Sequence, residues 1–217
     1  MSALDLSKST VPAVDARKVG LWVFMAVVTS LFMLFGIAYV MRMAMADWQP
    51  LRYVPAQLWF STALLALASV AWEVARRSAH GPAGRRAGIL ACALSLAFLL
   101  AQLWAWQAMM AMDYRVDGNP ANSFFYLLTG LHGLHVIGGL LAAAIAGGAM
   151  LRGAGHSGGA ARARRRSRLA GSIALCARYW HYLLVLWLAL FALLFLVTPD
   201  LVQVVCESVG IRPPQAR

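Results

Sequence analysis

Two histidines lie three positions apart, His132 and His135, inside the otherwise apolar stretch "SFFYLLTGLHGLHVIGGLL", residues 123–141. At that spacing they share one side of a helix. Imidazoles at such a place can bind haem or copper, relay protons, or hydrogen-bond between helices. A third, His181, lies in another apolar run. Axial haem ligands must approach from opposite faces of the ring, so an i,i+3 pair on one helix serves poorly. The chain has neither a C-x-x-C-H nor an H-E-x-x-H motif. The expectation is therefore that the histidines hydrogen-bond across helices, with Gly130, Gly133, Gly138 and Gly139 letting neighbours approach closely.

The other polar residues in apolar runs are few. Glu73 stands within a turn of Arg76 and Arg77 and is expected to pair with them, so no mid-span carboxylate is left for a proton path. Arg178 and His181, with Glu73, Arg76 and Arg77, make a candidate site for a phospholipid phosphate; simple snorkelling of the long side chains is the alternative. Gln102, Trp106 and Met109 are in register as an ordinary packing stripe, which is favoured over a quinone contact. Cys92, Cys176 and Cys206 are odd in number and scattered, so they suggest small buried hydrophobes and neither a disulfide framework nor zinc.

These residues must be positioned by membrane-spanning helices. Of 217 residues, 61% are hydrophobic and 12% charged, and the charges fall between long uncharged runs. Crossing about 30 Å of hydrocarbon takes roughly 20 apolar residues. Five segments qualify: 19–43, 56–76, 87–111, 123–151 and 173–198. The expected architecture is all-α, a five-helix membrane bundle (19–198), with a flexible cytoplasmic arm (1–18) and a periplasmic tail (199–217). The net charge of +11 comes from basic residues at the ends of the spans, without the aromatic interleaving of nucleic-acid binders, so no nucleic acid is expected. Basic loops ("RRSAHGPAGRR", "LRGAGHSGGAARARRRSR") alternate with near-neutral ones, which places the N-terminus in the cytoplasm and the C-terminus outside. The Gly-Pro and Gly-Ser-Gly-Gly clusters read as flexible turns, with the arginine-rich loop lying on anionic head groups.

Two stretches resemble a known family. "FFYLLTGLHGLHVIGG" (124–139) resembles the T-G-x-H-G-x-H-V-x-x-G signature of subunit III of the haem–copper oxidases, and "RYWHYLLVLW" (178–187) resembles its Y-W-H-F-x-D-x-V-W hallmark. Both lie on the last two spans, as in that family, and the resemblance covers roughly residues 17–198. It implies the five-span form of a non-catalytic subunit without redox cofactors of its own, haem and copper residing in a partner. Such a chain packs on catalytic subunit I and subunit II, binds phospholipid, and serves aerobic respiratory electron transport in the bacterial inner membrane. Carried over by motif, Thr129, Gly130, His132, Gly133, His135 and Gly139 form one interhelical packing element, and Tyr179, Trp180, His181 and Trp187 the other. The chain departs from the family at Val28, where many members carry Glu, and at Leu184, where they carry Asp. Gln102 and Trp106 stand where others have a carboxylate. Rival readings are an accessory protein of nitric oxide reductase from the same family, a haem-carrying membrane redox protein, and a transporter.

Overall fold

The computed structural model describes residues 16–51, 54–79, 81–152 and 159–208. The described residues form six helices: α1 (Ala16–Arg42), α2 (Ala56–Arg77), α3 (Pro82–Ala111), α4 (Pro120–Arg152), α5 (Gly159–Phe195) and α6 (Pro199–Ser208). The first five are long and apolar enough to cross a membrane, and the chain is a multi-pass membrane protein. An α-helix satisfies every backbone group within its own segment, as hydrocarbon requires. Of the expected arm only 16–18 are described, and of the tail only 199–208.

α2 and α3 form the closest hairpin; α5 packs on α2, α4 and α1, which makes it the hub, while α3 and α4 touch lightly. α2 runs straight into a short turn at Ser78, where Gly81 N–H donates to the Ser78 carbonyl at 3.0 Å. Pro82, whose fixed φ suits a first helical position, then starts α3. The chain doubles back so tightly that a side chain at Gly84 would collide with the Ser78 carbonyl. At the opposite end the two other turns are tied together. Asn119 Nδ2 donates to the Gln49 carbonyl at 2.5 Å, and Gln49 N–H donates back to Asn119 Oδ1 at 3.4 Å. Asp113 takes a left-handed conformation there, φ 65°. α1 leaves Trp22, Val23, Val27, Leu34 and Met41 exposed, a surface suited to lipid.

One expectation is corrected. The arginine run 162–168 is not a loop: it is helical and continuous with α5, because Ala and Arg are strong helix formers. The glycine-rich 153–158 lie outside the described residues. The Gly-Pro cluster lies at the turn between α2 and α3, and α3 begins at Pro82, five residues before the start of the expected span. The tail contains α6, whose Leu201 N–H is capped by Thr198 Oγ1 at 3.3 Å. A Thr followed by Pro is a helix-start signal that a reading based on apolar length passes over.

Candidate functional site

The contact between α4 and α5 brings the two motifs together. The helices approach closely at Gly139. A Cβ there would stand 2.7 Å from the Tyr179 ring and 3.2 Å from the Trp180 ring, so two aromatic side chains lie directly on the α4 backbone. Tyr179 O–H donates to the His135 carbonyl at 3.0 Å, bonding one motif to the other. Gly130 receives the Trp106 ring of α3, 3.2 Å from where a Cβ would be, and Gly133 meets Leu99 at 3.6 Å. Gly138 departs from the expectation: no atom lies within 4 Å of its would-be Cβ, because it turns toward a groove between α1, α4 and α5.

The histidines have three different environments. His132 is fully buried, and neither ring nitrogen has a hydrogen-bond partner. Its neighbours are the rings of Phe98 (centroids 5.8 Å apart) and Trp187 (5.1 Å). The expected interhelical bond does not form there, since aromatic faces at that level offer no conventional acceptor. His135 Nδ1 bonds within its own helix to the Leu131 carbonyl at 2.7 Å and packs against Phe24 and Phe32 of α1. Its hydrogen bond to another helix is made by its backbone carbonyl and not by its ring. Only the His181 imidazole meets the expectation, with Nδ1 2.5 Å from Ser69 Oγ of α2. The three rings thus serve three separate contacts and do not face a common point. Among the described residues no group of three His, Cys, Asp or Glu side chains has a metal-holding arrangement.

Hydrogen bonding between helices falls instead mainly to indole and phenol groups. Trp180 Nε1–H donates to Ser95 Oγ at 2.7 Å, Trp187 Nε1–H to Thr62 Oγ1 at 2.9 Å, and Trp106 Nε1–H to Thr129 Oγ1 at 3.1 Å. Each hydroxyl in turn donates to its own helix, to the carbonyls of Ala91, Leu58 and Phe125 respectively. A serine or threonine can therefore accept a tryptophan N–H while its own proton stays satisfied. Tyr182 and Thr29 share a further bond of 2.9 Å between α5 and α1. Ser69, Ser95 and Tyr182 were not singled out from the sequence; the available signal was an isolated hydroxyl in an apolar run.

Four of the five candidate lipid residues gather on the α2–α5 edge. Glu73 accepts from Arg76 Nε at 2.8 Å and Nη2 at 2.6 Å, and from Arg77 Nε at 2.8 Å. His181 Nε2 stands 3.7 Å from Glu73 Oε2. Arg178 is separate: it faces α1, its guanidinium carbon 5.7 Å from the centre of the Trp22 ring, a cation–π arrangement. Gln102, on the α3 stripe, is buried with both amide atoms unpartnered. Leu184 is partly buried against the core.

No family model matches the chain. Similar curated proteins are nonetheless found. Over 113 residues, 52% of this chain and 51% of the relative, it is 29% identical to the probable cytochrome c oxidase subunit 3 of Mycobacterium tuberculosis. The same identity over the same lengths holds for that of Mycobacterium leprae. It is also 29% identical, over 109 residues, to cytochrome c oxidase subunit 3 of Thermostichus vulcanus, covering 50% of this chain and 48% of the relative. The chain thus spans about half the length of the curated relatives it matches. With both motifs in mutual contact on the last two of five helices long enough to span a membrane, the chain is similar to cytochrome c oxidase subunit III proteins over about half its length.

Proposed function

We propose that this chain is a non-catalytic, subunit III-like component of a bacterial haem–copper terminal oxidase. It packs on the catalytic subunit and stabilises it during aerobic electron transport, with its N-terminus in the cytoplasm. The observation that carries the reading is the joined pair of motifs, Gly139 beneath Tyr179 and Trp180 with the Tyr179–His135 bond beside it. This is a device for holding two helices at one distance and angle. Interhelical hydrogen bonds in membranes contribute only about 0.6–2 kcal/mol each, so their value here is geometric: they present a fixed surface to a partner. Haem and copper belong to that partner. The three dispersed imidazoles support this division of labour, since none converges with another on one ligand.

Phospholipid is the second proposed partner. An almost wholly apolar groove of about 380 Å3 runs beside Leu21, Phe24, Gly138, Gly139, Cys176 and Tyr179. The open Gly138 faces this space, which suits an acyl chain. Arg178 over Trp22 stands next to it in sequence on both helices, and Glu73 with Arg76, Arg77 and His181 offers a second polar edge.

A mild-detergent pull-down of the tagged chain, with an optical spectrum and mass spectrometry of the eluate, tests the reading. Haem and copper are expected to arrive with a larger membrane partner and to leave when it is stripped away. A Soret band retained by the isolated chain would make the histidines ligands and overturn the proposal.

A further inference from the structure

Because each of the first five helices crosses the membrane, the starts of α1, α3 and α5 and the ends of α2 and α4 share one end of the bundle. That end carries Arg17, Lys18, Arg76, Arg77, Arg85, Arg86 and Arg152, and then five arginines within the seven residues 162–168. Among the described residues its one carboxylate is Glu73, already held by Arg76 and Arg77. The sequence has no Asp or Glu between Asp117 and Asp200, so the α4–α5 hairpin brings no counter-charge of its own. Arg164 and Arg168 are exposed and make no ion pair among the described residues. Arg164 and Arg168 are thus placed to meet anions from outside the chain.

The helix determines which anions are at hand. Residues 162–168 belong to α5, which continues unbroken into its apolar span at Leu169. At 1.5 Å per residue the run rises about 9 Å, close to the head-group layer that flanks each side of the hydrocarbon, about 5–8 Å thick. Positions 162, 164, 165, 166 and 168 fall at five different angles round the helix axis. A protein partner would require one charged face. At 100° per residue the five positions spread over about 200° of the circumference, more than one stripe, which suits a medium that meets the helix from several sides, as lipid head groups do. Arginine is also the side chain best matched to phosphate, by paired N–H donors.

We propose that residues 162–168 form a collar that gathers anionic phospholipid phosphates around the aqueous end of α5, anchoring that helix, the hub of the bundle, at a fixed depth. The collar is separate from the Glu73 edge and from the apolar groove, and it does not rest on membership of an oxidase. The test takes the full chain in mixed micelles with phosphatidylglycerol or phosphatidylcholine and counts retained lipid by native mass spectrometry. Wild type is expected to retain phosphatidylglycerol preferentially, and less of it as salt rises. Replacing Arg162, Arg164, Arg165, Arg166 and Arg168 together by Gln, which keeps helix propensity, should lower that retention by about tenfold or more. Retention in phosphatidylcholine and the helical circular-dichroism signal should stay the same. Undiminished phosphatidylglycerol binding by this variant overturns the proposal. So does complete competition by millimolar inorganic phosphate, which would make the run a free-anion site. An Arg76→Gln, Arg77→Gln double variant reports on the Glu73 edge alone and is expected to keep the collar's lipid.

Discussion

α5 has two working faces. Toward α4 it lays Tyr179 and Trp180 on a bare glycine backbone, in an apolar contact closed to water and sealed by one phenol-to-carbonyl bond. Toward α2 it offers His181 to Ser69 and Glu73, at an edge where the imidazole is about half exposed and two arginines converge on one carboxylate. The first face is short-range and steric, so an ångström decides its energy. The second is electrostatic and partly solvated, so screening and side-chain entropy reduce what each bond contributes. One helix thus takes its position from packing on one side and keeps a polar, adaptable edge on the other.

The strongest way to break this contrast is Gly139→Leu. With a Cβ already 2.7 Å from the Tyr179 ring, overpacking should cost about 1–3 kcal/mol or more, seen as a lower melting temperature in detergent. Gly138→Ala, one residue away, should be silent; equal effects at the two positions would refute the steric reading. His132→Leu should leave stability unchanged or raise it by about 1–3 kcal/mol, because it removes a buried polar group that has no partner. A large loss of stability would reveal a partner, such as a buried water, bonded to that ring. Tyr179→Phe removes one interhelical bond and is expected to cost about 0.6–2 kcal/mol, measured by the same melt. On the polar face, Glu73→Gln should produce a smaller loss that disappears as salt is raised, whereas the Gly139 effect should not depend on salt.

The smallest effect lies at the far end. The Arg42 guanidinium, bonded to both carboxylate oxygens of Asp47, holds that carboxyl below its ordinary value. A folded-state pKa lower than the unfolded one adds stability above the unfolded value, near 4, and that stability is lost as the pH falls through the folded one. The melting difference between wild type and Asp47→Asn should therefore be present at pH 7 and shrink below about pH 4. A difference that grows on acidification would contradict the sign.

Much of the fold was legible in order along the chain. Five apolar runs with basic residues at alternate ends specify five spans, because hydrocarbon admits a backbone only when its own groups are paired within it. Span ends were read too short where polar residues extend a helix past the hydrocarbon, as arginines 162–168 do on α5. The motif residues were found by type, yet their pairings were only partly foreseen. Ser95 carries no local sign that Trp180, 85 positions on, will donate to it, and nothing local to His132 says that the Phe98 and Trp187 rings will pack against it and leave both its nitrogens without a partner.

By itself, then, the sequence determined the number of helices long and apolar enough to span a membrane, the distribution of charge between the two ends, and the presence of two small-residue and aromatic motifs able to mate. These follow from hydrophobicity and charge, which each residue carries wherever the chain goes. The tertiary structure decided that Gly139 and not Gly138 receives the aromatic rings, that tryptophan and tyrosine more than histidine carry the named interhelical bonds, and that Arg178 leaves Glu73 for Trp22. Those outcomes depend on the rotation and depth of each helix against its neighbours. They are set by close packing summed over the whole bundle, which no local stretch encodes.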